Sequence, residues 1–280
     1  MENMKMYAFA DEASPLLDGQ IAAMRRNGLC GLEIRGVDGE NVSSISLQKA
    51  RDVREKLNDA GLTVWSIGSP IGKIDIEQGD FRAHLDQLRH TLEVARILDA
   101  KNIRMFSFYI PAGKRPEDYQ QTVIDRLGEM LRVAEGSGID LCHENEKGIY
   151  GDVAARCAQI LQALPDLQGV FDPANFVQCG QDTWAAWELL APRMKYLHVK
   201  DALADGSVVP AGKGIGQVKR ILNAYRAQGG CVATIEPHLT VFEGLKDLEQ
   251  AEEKSHVGIY RYGSSDQAFD AACAALKELL

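Results

Sequence analysis

Eight short apolar runs recur along the chain, each followed by a longer stretch of helical period. The runs are Met6–Ala10, Gly31–Arg35, Thr63–Gly68, Asn102–Tyr109, Ile139–Glu144, Gly169–Asp172, Tyr196–Lys200 and Cys231–Glu236. Between them, apolar residues return at three- and four-residue steps. Leu47, Ala50, Val53 and Leu57 form one such series, Leu85, Leu88, Leu92 and Ala95 a second, and Val123, Leu127, Met130 and Ala134 a third. Val218, Ile221, Leu222 and Tyr225 mark a later helix, and Phe269, Ala272, Cys273, Leu276 and Leu280 the last. That spacing places each set on one helix face. Glycines at 28, 61, 136, 138, 229 and 230 stand where these series stop, because glycine accepts the left-handed conformation that ends a helix. Short runs alternating with helices predict parallel strands joined by helical crossovers. Unbroken apolar runs predict strands covered on both faces. Eight such units in 280 residues suit a closed (β/α)8 TIM barrel, read as a single domain over residues 1–280. A doubly wound open sheet is the rival, but its GxGxxG flag after the first strand is missing.

Composition narrows the partners. The formal charge is −9, and an acidic surface with no basic run repels phosphate backbones, so no nucleic-acid partner is expected. No stretch approaches the ~20 consecutive apolar residues of a membrane span, and the N-terminus lacks the apolar core of a signal peptide. The six cysteines are scattered, with no CxxC pair. They read as reduced, mostly buried thiols of a cytoplasmic protein.

In a parallel barrel the C-terminal strand ends converge on one face, so residues far apart in sequence meet there. The fifth run ends Cys142-His143-Glu144-Asn145-Glu146, and the sixth Val170-Phe171-Asp172-Pro173. The seventh ends Leu197-His198-Val199-Lys200-Asp201, and the eighth Ile235-Glu236-Pro237-His238. Four successive strands thus deliver carboxylate, carboxylate, imidazole and carboxylate, about one barrel unit apart. Three crowded carboxylates repel one another unless protonated or neutralised, and a divalent cation removes the conflict. The donor set suits Mn2+, Mg2+, Co2+ or Zn2+, with Mn2+ favoured because most donors are oxygen. Taken singly, each residue has a bland use: Asp172-Pro173 can start a turn, and His198 can be a hydrogen-bonded core residue. Four in register weigh toward a metal site at Glu144, Asp172, His198 and Glu236.

At these residues the sequence resembles the xylose-isomerase-like barrel superfamily, the sugar isomerases and epimerases that include ketose 3-epimerases, hydroxypyruvate isomerase and inosose dehydratase. The resemblance begins with Phe9-Ala10-Asp11-Glu12 and Leu32-Glu33-Ile34-Arg35. It runs through His143-Glu144-Asn145-Glu146 and Phe171-Asp172-Pro173-Ala174-Asn175 to His198-Val199-Lys200-Asp201 and Ile235-Glu236-Pro237-His238. It implies that Glu144 and Glu236 double as an acid/base pair and that His198-x-Lys200-Asp201 lies beside the metal. Two positions depart from the ketose 3-epimerases. Asn175 stands where those enzymes carry a histidine, and Lys200 is the nearest cation where they carry an arginine. DNA-repair endonucleases of the superfamily hold three zinc ions with extra histidines, which a chain with six His does not supply.

The chemistry expected is proton abstraction next to a carbonyl of a sugar or keto-sugar, through a metal-stabilised enediolate. The outcome would be isomerisation or epimerisation. A metal-dependent lyase acting on an inosose or 3-keto sugar is the alternative, and a non-enzymatic sugar-binding subunit a further one. Substrate contacts are expected from His238, Lys200, Asn175, Arg35, Glu12 and Asp201, with Glu33 on the same side as Arg35. His143 should face away from the mouth. The Ser69–Lys73 turn is a candidate pocket wall, and Trp65 and Phe108 read as core. The glycine-rich Ala211–Gly216 loop reads as a flexible loop rather than a phosphate cradle, so an unphosphorylated substrate is expected. The long charged segment Leu239–Arg261 reads as a lid or partner surface, and a homodimer is a candidate assembly.

Overall fold

The computed structural model describes residues 4–240 and 260–280. Most of the Leu239–Arg261 segment therefore lies outside the described residues. Eight parallel strands close into a barrel in the order β1-β8-β7-β6-β5-β4-β3-β2. They are β1 (Lys5–Ala8), β2 (Gly31–Ile34), β3 (Thr63–Gly68), β4 (Asn102–Met105), β5 (Asp140–Glu144), β6 (Gln168–Phe171), β7 (Met194–Val199) and β8 (Val232–Ile235). The barrel closes where Tyr7 pairs with Gly31 on one side and Thr234 on the other.

Helices α1 (Leu17–Arg26), α2 (Leu47–Asp59), α3 (Phe81–Leu98), α4 (Gln120–Ala134) and α5 (Ala154–Ala163) follow the first five strands. Two helices, α6 (Pro173–Gln178) and α7 (Thr183–Leu190), follow β6. Then come α8 (Val218–Ala227) and α9 (Ser265–Leu279). The outward residues of the strands, such as Leu32, Ile34, Ile103, Met105, Leu141, Leu197 and Ile235, pack with Leu88, Leu92, Leu127, Ile160, Ile221 and Phe269 of the helices. Each fully buried side chain of this kind contributes about 1.5–3 kcal/mol. The last helix is pinned to α1 by Arg26, which pairs with Asp266 and Asp270. Leu280, expected on its apolar face, caps the end and is 39% exposed.

Two expectations change. The fourth apolar run extends to Tyr109, yet the ladder stops at Met105. Beyond it the chain bends to the loop after β3: Phe106 N donates to Ile71 O at 2.8 Å and Phe108 N to Gly72 O at 2.9 Å. Backbone satisfaction there passes from barrel to loop, and Phe108 takes a left-handed φ of 68°. The thiols also divide: Cys142, Cys157 and Cys273 are buried, Cys179 and Cys231 half-buried, and Cys30 exposed. Among the described residues, no helix is long and apolar enough to cross a membrane.

Candidate metal centre at the barrel mouth

Strand alternation aims every second residue into the barrel. Glu144 ends β5, Asp172 follows β6, His198 lies near the end of β7 and Glu236 follows β8. One donor atom from each lies within 4.8 Å of the others, and all four residues are buried. Asp172 also caps α6, its Oδ1 accepting from Asn175 N at 2.9 Å. Its other oxygen, Oδ2, is buried and has no hydrogen-bond donor, although the Lys200 ammonium stands 3.0 Å away. A buried carboxylate oxygen aimed among three further donors is what a divalent cation requires, and the residues fit such an ion.

His198 is held from both sides. Nδ1 lies 2.8 Å from Glu144 Oε1, and Nε2 lies 3.0 Å from Glu33 Oε2. With no ion between them both ring nitrogens donate, Nδ1–H to Glu144 and Nε2–H to Glu33; to face an ion, Nδ1 would give up its proton while Nε2–H stays on Glu33. A carboxylate behind a ligating histidine fixes ring orientation and tautomer. Glu33 is itself fixed by Tyr196, whose hydroxyl donates to Oε1 at 2.8 Å. Glu33 therefore faces the interior as expected, but it reaches His198 rather than the cleft.

The electrostatics follow from burial and pairing. Burial disfavours the imidazolium of His198, but Glu144 and Glu33 beside it overcome that and raise its pKa well above the usual value. Burial pushes Asp172 up to about 7, with Lys200 opposing and the Glu236 and Glu144 charges adding. Glu236 goes the other way: burial raises it, yet Lys200, His238, His198 and Arg35 together hold it well below the carboxylate range. The mouth thus contains one readily protonated carboxyl and one persistent carboxylate a few ångströms apart.

The other expected residues divide into three groups. Lys200 and Asn175 touch the four candidate donors directly. Lys200 Nζ donates to Glu236 Oε2 at 2.8 Å, and Asn175 Nδ2 lies 3.4 Å from Glu144 Oε1. Arg35, Glu12 and His238 form an adjoining group. Arg35 forks onto Asp11 at 2.8 and 3.1 Å and reaches Glu12 at 3.1 Å and Glu236 at 3.4 Å. Glu12 accepts from His238 N at 2.6 Å, which holds His238 at a left-handed φ of 44°. Glu12, Glu236 and His238 also bring donor atoms within 4.8 Å, but the Arg35 guanidinium already neutralises two of them.

Asp201, expected to meet substrate, is instead turned into the glycine-rich loop. Its carboxylate accepts from the amides of Ala202, Gly212, Gly214 and Gly216 at 2.8–3.0 Å. That loop, expected to be flexible, is an ordered amide cradle whose anion is the chain's own Asp201. A side chain at Gly214 would fall 2.3 Å from Asp201 Oδ1, so only glycine fits there. His143 faces away from the mouth and bonds Ser107 at 2.9 Å, while burial lowers its pKa to about 3. Trp65 packs against Tyr7 and Tyr196, and Phe108 against Phe81.

The roles of three contributors escaped the sequence reading, although Glu33 and Asn145 stood in the motifs it singled out. Glu33 is one. Asn145 is the second: its amide pairs reciprocally with the Asp172 backbone, both bonds at 2.9 Å, and ties the ends of β5 and β6 together. Arg104 is the third, 3.3 Å from Glu144 Oε2. A charged residue inside the run Asn102-Ile103-Arg104-Met105 was the signal available. An arginine in a strand covered on both faces is costly unless it serves a site.

Comparisons with known proteins agree with this architecture. The chain aligns with the IolI protein solved with a bound zinc atom at 15% identity, covering 99% of this chain and 98% of that one, with a TM-score of 0.76. The probable 3-DHS dehydratase AsbF of Bacillus anthracis aligns at 16% identity over 99% of both chains, TM-score 0.74. The 3-keto-D-glucoside 4-epimerase YcjR of E. coli aligns at 16% identity over 99% of both, TM-score 0.69. At such identities the likeness shows a shared fold. No curated protein matches the sequence. The family model described as xylose isomerase-like TIM barrel matches residues 21–255, and the chain belongs to that family.

Proposed function

We propose that this protein is a divalent-metal-dependent isomerase or epimerase that abstracts a proton next to the carbonyl of a sugar or keto-sugar. The observation that carries the reading is the convergence of Glu144, Asp172, His198 and Glu236 within 4.8 Å in a buried mouth. A divalent ion held there, Mn2+ by the oxygen-rich donor set, would polarise a substrate carbonyl and offset developing negative charge. Glu236 is kept ionised by the cations around it, so it is in the unprotonated form that a base needs. Glu144 stands on the strand three positions round the barrel and flanks the substrate from the other side. Lys200 is placed to steady Glu236 and any oxyanion beside it. Asn175, Arg35, Glu12 and His238 line the remaining approach.

The test is hydrogen exchange in D2O. Ketoses and keto acids are incubated with Mn2+-supplemented protein, and deuterium uptake is followed by NMR. Glu236→Gln should slow uptake by about 10²–10⁴-fold, the usual contribution of a general base; exchange at the unaltered rate would remove Glu236 from that role. A dehydratase is the second reading, favoured by the likeness to AsbF. It shares the abstraction step and is separated by product analysis, since elimination leaves an unsaturated product.

A further inference from the structure

A cleft of about 130 Å³ is lined by three cations, Arg35, Lys73 and Arg104, with Phe106, Gly68 and Ser69 among them; Arg35 and Arg104 join it to the four donors through Glu236 and Glu144. Arg104 is 2% exposed. Its Nη1 reaches Glu144 Oε2 only at 3.3 Å, and its Nε has no acceptor among the described residues. The guanidinium is held in place rather than folded away. Its carbon lies 4.6 Å from the Phe106 ring centre and 5.4 Å from that of Phe9, and Ser69 Oγ donates to Arg104 O at 2.6 Å. Gly68 leaves room for it: a Cβ there would stand 3.2 Å from Arg104 Nη2 and 3.2 Å from Arg35 Cβ. Lys73 completes the wall, stacked 4.4 Å from the centre of the same Phe106 ring.

Proton abstraction by Glu236 draws on Arg35, which helps to keep it ionised, but gives no role to Lys73 or to the Nε of Arg104. A guanidinium that lines a cleft, is fixed by aromatic faces and carries an unmatched N–H is suited to a planar or tetrahedral oxyanion. Arg104 and Arg35 are themselves buried, so a charge-assisted hydrogen bond made to them counts for more than one at the surface. The glycine-rich loop after β7 does not compete for the role, because its amides are bonded to Asp201.

We propose that this cleft binds an oxyanion of the substrate, a carboxylate or a phosphate, with Arg104 as the residue that selects for it. The proposal rests on the reading of the mouth as a sugar site and deepens it: the substrate class becomes an acidic or phosphorylated ketose. A purely structural Arg104 would serve only as a counter-ion to Glu144, and substrate charge would then be immaterial.

The experiment titrates the Mn2+-loaded full chain with D-fructose, D-fructuronate and fructose 6-phosphate by calorimetry. Inorganic phosphate and acetate are titrated alongside. One anionic sugar should bind at least tenfold tighter than fructose, and whether it is the uronate or the phosphate identifies the oxyanion. In Arg104→Gln that ratio should collapse towards one, and in Arg104→Lys most of it should survive. A ratio near one in the unaltered protein, or a ratio untouched by Arg104→Gln, overturns the proposal. If no sugar binds but phosphate or acetate does so in an Arg104-dependent way, the oxyanion site stands and the sugar reading fails. Silence towards every probe overturns the oxyanion site itself.

Discussion

Inside the barrel, Tyr7, Cys142, Val170, Tyr196 and Val232 pack together with Trp65 against them. Two residues further along the same strands stand Phe9, Glu144, Asp172 and His198, and four beyond Val232 stands Glu236. The lower layer is closed by apolar and aromatic contact; the upper layer, Phe9 apart, consists of ionisable groups paired chiefly with one another. Glu33, 3.0 Å from His198 and 2.8 Å from Tyr196, joins the two. Phe9 does so as well, lying under the Arg35 guanidinium at 4.5 Å and edge-on to His198 at 5.2 Å. The contrast shows that one strand pleat separates a layer indifferent to pH and ions from a layer ruled by them.

Three measurements break or sharpen that contrast. The largest effect is expected from Phe9→Ala. Removing a fully buried ring between the layers should cost about 3–5 kcal/mol in denaturant unfolding. A loss under about 1 kcal/mol would mean that packing beneath the charges is unimportant. Next comes Glu33→Gln, which keeps the shape but weakens the hold on His198. Mn2+ affinity should fall about 10–100-fold, the usual effect of altering a ligand's supporting partner, and an unchanged affinity would cut the proposed link between the layers.

The last effect concerns pH, and its Asp172 part alone is the smallest of the three. The Asp172 pKa, raised to about 7 before any ion enters, means that a proton and a cation compete for the same carboxylate. The sign is fixed: as pH falls through 7 the carboxyl is protonated and metal binding weakens. For that one proton, affinity at pH 6 should be about tenfold below that at pH 8, with further loss because His198 must also shed a proton. Calorimetry in buffers of different ionisation heat detects the released protons. Affinity independent of pH over this range would show that Asp172 is already ionised or is not a ligand.

The pattern of alternating runs and helical stretches was enough to read the barrel, because strand and helix periods are local properties that each segment carries by itself. The four donors were legible for a related reason. Strands in one barrel end on one face, so the last residues of consecutive runs are spatial neighbours. Glu33 and Arg104 were not legible in the same way, since each sits within a run and its partners lie across the interior on β7 and β5. Asp201 misled because it is adjacent to Lys200 in sequence, yet successive strand residues turn opposite ways.

Sequence alone therefore determined the element pattern, the strand-end donors and the −9 charge that argues against a nucleic-acid partner. Tertiary structure alone decided which carboxylate is held ionised, which is raised to about 7, and which arginine lines the cleft with an unmatched N–H. The reason is physical: charge state and hydrogen-bond satisfaction depend on distances between groups on different strands, and those distances come into being only when the barrel closes.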